Sequence, residues 1–161
     1  MRARLWTFVA LGLLVAGACA PSQPTMADEA SLRRALVQQT LERALVDQEL
    51  PSVGLLLDQG LVVLSEENLD TAWVQPLPGV NLRLMTPGEI QQRANEQGDF
   101  LYLRFDQIDI QGPDRAVVSL SNSWAVSDAS TTGYLSGGGF TIEYSRQAGV
   151  WVGEISQLWI S

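Results

Sequence analysis

The side chains available for chemistry are eighteen carboxylates, ten arginines, three tyrosines and one thiol, with no histidine and no lysine. Without His there is no Ser-His or Cys-His nucleophile pair and no imidazole metal ligand. Without Lys there is no Schiff base and no phosphate-loop lysine. What remains is carboxylate, tyrosine and arginine chemistry. Asp106, Asp109 and Asp114 could offer oxygen ligands to Ca²⁺, but their spacing matches no calcium loop and reads as a solvated strand and turn. Gly137-Gly138-Gly139 could let an anion approach the backbone. It falls inside a strand pattern rather than ahead of a helix, which favours a bend or bulge. Glu143 and Glu154 are the carboxylates that a proton-transferring site could use if burial raised their pKa values. Arg104, Asp106 and Asn122 interrupt otherwise apolar rows. Either they face a cavity, or the strand changes phase at a bulge near Asp106-Gln107, which would turn Arg104 to water and leave Asn122 as a satisfied polar group.

The thiol has a different context. Arg2 and Arg4 precede an apolar run, Leu5 to Val15, which is too short to span a bilayer and suits a signal peptide over residues 1–18. Leu14-Val15-Ala16-Gly17-Ala18-Cys19 resembles a bacterial lipobox, with Ala16 standing where that family usually has Leu. The resemblance implies that Cys19 is lipidated and that residues 19–27 tether the domain to a membrane. The alternative is ordinary cleavage at Ala18-Cys19-Ala20, which Pro21 opposes. Cys19 is the only cysteine, so no disulfide forms within the chain. By the same resemblance, Ala20 after the Cys favours the outer membrane in a diderm host. The tether from Ala20 to Ala27 reaches no more than about 28 Å when extended.

Loss of Arg2 and Arg4 with the leader leaves eight arginines against eighteen carboxylates, a net charge of −10. That balance points away from nucleic acid and from anionic lipid. No cofactor is implied.

The elements that must position these residues fill 28–161, a length that can bury a self-sufficient core. The spacing predicts a helix over Asp28–Leu50, with Leu32, Leu36, Leu41 and Leu45 on its apolar face, ended by Pro51. Leu55–Leu57 and Leu61–Leu64 around Asp58-Gln59-Gly60 read as a hairpin, and Val80–Met85 as a short strand. Thr86-Pro87-Gly88-Glu89 is a capping box opening a helix that runs to Gln97 and stops at Gly98. Four antiparallel strands follow: Phe100–Ile110, Arg115–Ser127, Tyr134–Arg146 and Val150–Ile160. In the second, Ala116, Val118, Leu120, Asn122 and Trp124 share the inward face and Ser121 points outward. The expectation is an α+β domain: a long N-terminal helix and a short helix on a curved antiparallel sheet.

That order, with Tyr134-Leu135-Ser136-Gly137-Gly138-Gly139-Phe140 and then Gly149-Val150-Trp151, resembles the nuclear transport factor two-like fold. This is the cone-shaped group that includes the ketosteroid isomerases. The alternative is a helix on a sheet without a pocket, as in cystatin-like domains. The isomerases' Asp base and oxyanion donors have no matching motif here, so no catalytic residue is carried over. A cone implies a mouth that Tyr102, Asn122, Trp124 and Tyr144 could line for a small apolar ligand, with Arg104 as counter-ion for an acidic one if no bulge turns it outward. Three functions stay open: a non-catalytic ligand-binding or protein-interaction domain of an envelope lipoprotein, a carboxylate-dependent isomerase or dehydratase, and a dimerisation or assembly domain.

Overall fold

The computed structural model describes residues 26–134 and 137–160. The leader, Cys19 and the tether as far as residue 25 lie outside the described residues. The first helix, α1, spans Met26–Leu41 and continues into one π-helical turn, Glu42–Val46. It therefore ends earlier than Leu50. Asp47 N closes the last turn on Glu42 O, and Leu50 is buried beyond that turn. The chain breaks away there, with Gln48 and Ser52 in the left-handed region.

The expected hairpin does not form. Val53–Leu57 is a short helix, α2, that buries Val53 and Leu56 and leaves Leu55 exposed. A run of three leucines carries no period that separates strand from helix. The second half is a strand, β1, Val62–Ser65, buried along its whole length. A single 3₁₀ turn, Thr71–Trp73, leads to β2, Leu82–Met85. Then comes α3, Pro87–Gln97, with both arms of the capping box: Thr86 N donates to Glu89 Oε2 (2.8 Å) and Glu89 N donates to Thr86 Oγ1 (3.3 Å). The last four strands are β3 Phe100–Ile110, β4 Arg115–Ala125, β5 Gly138–Gln147 and β6 Val150–Ile160. β5 starts four residues after Tyr134.

The strands form one curved, open sheet in the order β2-β1-β3-β4-β5-β6. It is mixed rather than antiparallel, because β1 runs parallel to both β2 and β3. The side-chain amide of Gln59 pairs with β3 just before β1 begins: it accepts from Leu101 N (3.1 Å) and donates to Leu101 O (3.2 Å). The β3–β4 register shifts between Phe105 and Gln107, so Asp106 is the bulge residue. Leu101, Leu103 and Phe105 are buried before it, and Ile108 and Ile110 pack on the core after it.

The inner face carries Leu103, Phe105, Val118, Leu120, Phe140 and Ile142, covered by Leu36, Val37, Leu41 and Leu45 of the first helix. The outer face is covered only in part. Ile90 and Ala94 of α3 pack on Val63, Met85, Phe100 and Ala125. Farther along, Ser121 was expected to face water but is 6% exposed. Beside it, Gly139 gives room to Trp159, whose ring would lie 2.3 Å from a Cβ at that position. Gly139 thus admits a tryptophan, and no bulge falls at Gly138-Gly139; the β5–β6 irregularity is at Thr141/Ile142.

Candidate functional site

The five side chains expected to share a pocket lie on two faces of the sheet. Leu101, Leu103 and Phe105 point inward, so Tyr102 and Arg104 point outward. Tyr102 packs against the α3 cluster. Arg104 Nε lies 2.8 Å from Asp106 Oδ1, an ion pair in distance although not aligned as a hydrogen bond. Its charge is matched locally, which removes the expected counter-ion role.

Asn122, Trp124 and Tyr144 point inward, but the polar groups of Asn122 and Tyr144 are engaged by the protein. Asn122 is 2% exposed. Its Oδ1 accepts from Gly138 N (2.7 Å) and its Nδ2 donates to Pro51 O (2.8 Å). Tyr144 is buried, and its hydroxyl meets Thr40 Oγ1 at 2.9 Å. Thr40 gives its own proton to Leu36 O (2.8 Å), so Tyr144 is the donor of the pair. Burial pushes the Tyr144 phenol pKa up, so it stays protonated in neutral solution. Trp124 stacks on Tyr134 with ring centroids 4.1 Å apart.

The carboxylates are equally plain. Glu143 and Glu154 are exposed and face each other as cross-strand partners. The displaced carboxylates are Glu89 and Asp99, both lowered by hydrogen bonds: Thr86 acts on Glu89, and the Ser130 hydroxyl with Ser127 N on Asp99. These bonds hold turns and caps. Among the described residues, no three His, Cys, Asp or Glu side chains gather as a metal-ligand group.

One concave space lies elsewhere, between the π-helical turn and the start of β6. It is an open groove of about 420 Å³ lined by Gln39, Glu42, Arg43, Asp47, Glu49, Trp151, Val152 and Gly153. The extra residue of the π turn lets Asp47 N donate to Glu42 O (3.0 Å) and widens the helix end. Arg43 is fixed by Glu49 Oε2 and by donating Nη1 to Gly153 O (2.9 Å). Gly153 is required there, since a Cβ would meet the Tyr144 ring at 2.6 Å. Arg43 balances one of three carboxylates; Glu42 and Asp47 have no ion-pair partner among the described residues.

No protein-family model, curated protein or solved structure matches the chain.

The groove continues into β6, an edge strand with most of its side chains exposed. Val150 (65%), Leu158 (56%) and Ile160 (75%) stand out, with Val152 and Ile155 between them. Natural edges are blunted by Lys, Pro, shortness or a bulge. This strand has eleven residues, no Lys and no Pro, and only the register shift near Ser156. Of its aromatics, Trp151 packs against the core and Trp159 lies over Gly139. The available signal was the strand's weak alternation: apolar residues on both faces and Glu154 as its single charge.

Proposed function

We propose that the chain is an exported envelope lipoprotein, anchored through Cys19, that presents a non-catalytic protein-interaction domain of nuclear transport factor two-like architecture. The observation that carries the interaction reading is the long, largely apolar edge strand β6, whose outer side pairs with no strand among the described residues. Monomeric soluble domains seldom leave such an edge uncovered. The polar side chains that would orient a small ligand are spent inside the protein at Asn122 and Tyr144. The element order from α1 to the final meander supports the architecture. The leader and Cys19 support the anchor, and a diderm host would place it in the outer membrane. No helix among the described residues is long and apolar enough to cross a membrane.

Cys19→Ser tests the anchor. In cells fed labelled fatty acid, the wild-type chain is expected in the membrane fraction carrying label. The variant is expected without label and released from that fraction. Equal labelling of the two chains refutes lipidation at Cys19.

A further inference from the structure

We infer that β6 accepts an extended segment of a basic partner protein as a seventh strand, with the partner's Arg or Lys side chains seated in the acidic groove beside it. The inference rests on the interaction-domain reading and names the chemistry of the partner. Three observations fix the arrangement. First, the free edge is usable over Gln157–Ile160, which lies beyond the irregularity near Ser156 and carries Leu158 and Ile160. The other half is already engaged at Gly153 O by Arg43. Second, β3 to β6 are all antiparallel, and antiparallel addition is the commoner pairing. A segment running opposite to β6 then passes from Ile160 to Gly153, about 23 Å in seven residues. Its later residues arrive at the groove. Third, the groove holds Glu42 and Asp47 without a cation, while Arg43 is bound to Glu49.

The same charges argue against a second copy as occupant. β6 contains no basic residue, so a symmetric β6–β6 pairing brings nothing to Glu42 or Asp47. It also joins two acidic chains that repel one another. A basic segment with alternating apolar residues at its start relieves both.

The probe is a ten-residue synthetic peptide, alternating valine and threonine in its first half and carrying two arginines in its second. Backbone amide shifts should move at Gln157–Ile160. Affinity should fall at least about tenfold when Glu42→Gln and Asp47→Asn are combined, and also for a peptide with glutamates in place of the arginines. Leu158→Lys with Ile160→Lys should remove binding while leaving the melting transition in place, since both side chains are exposed. Binding untouched by both variant pairs overturns the inference. So does self-association in sedimentation that Leu158→Lys abolishes, which would assign the edge to a second copy. A photocrosslinking residue at 158 in the full anchored chain separates this inference from its parent. Adducts without peptide binding overturn the basic-segment chemistry alone. Absence of both overturns the interaction domain as well.

Discussion

Asn122 shows what one side chain can hold together. Its amide satisfies a carbonyl in the loop before α2 and an amide at the start of β5, so it joins segments far apart in sequence. Asn122→Leu should lower stability by about 3 kcal/mol, because two buried backbone groups lose their partners; the shift in denaturant midpoint measures it. That a polar residue interrupts an apolar row was visible in the sequence. Its partners were not, because backbone groups leave no trace in residue type. Ser121 was misplaced for a related reason. Alternation assigns a face, but nothing in the strand announces that Trp159 will lie beside it. Ser121→Asp should therefore destabilise the fold much as Leu120→Asp does, each burying an unpaired charge. Asp99 supplies a pH signature. Its carboxyl is held below the ordinary aspartate value, about 4, by Ser130 and Ser127. A depressed acid contributes stability above that value and loses it as pH falls through the folded pKa. Asp99→Asn should flatten this acid limb below about pH 4, read from urea titrations at a series of pH values.

Among the elements, those specified locally were legible and those specified by distant partners were not. The α3 cap is complete within four residues, and the structure has both of its hydrogen bonds. Thr86→Ala should cost about 1 kcal/mol of stability in thermal unfolding. β3 and β6 begin and end where their periodicity says. The first helix, α2 and the parallel pairing of β1 were misread or missed. Each depends on which surface arrives to cover it: Leu50 is buried only after the chain has left its helix, and β1 finds neighbours on both sides. At the last hairpin, Glu143 and Glu154 stand directly opposite. Glu154→Lys should add about 0.5 kcal/mol by turning a like-charge pair into an opposite one.

At the scale of the molecule, the sequence marked the two faces of the sheet but not how unequally they are covered. Helices roof the inner face from β3 to β5, whereas the outer face has α3 at one end only. The candidate site was legible to the same degree. Its residues lie at β6 and at the π turn, two features defined by what the fold leaves uncovered, and residue patterns report burial better than its absence.

The attachment of the first helix has a mechanical consequence. Three polar contacts rivet it across the sheet: Arg33 Nη1 to Ile108 O (3.1 Å) on β3, Thr40 to Tyr144 (2.9 Å) on β5, and Arg43 Nη1 to Gly153 O (2.9 Å) on β6. A chain held at its N-terminus is pulled through this helix. Tension on the helix would then reach three strands of the sheet at once, the edge strand among them.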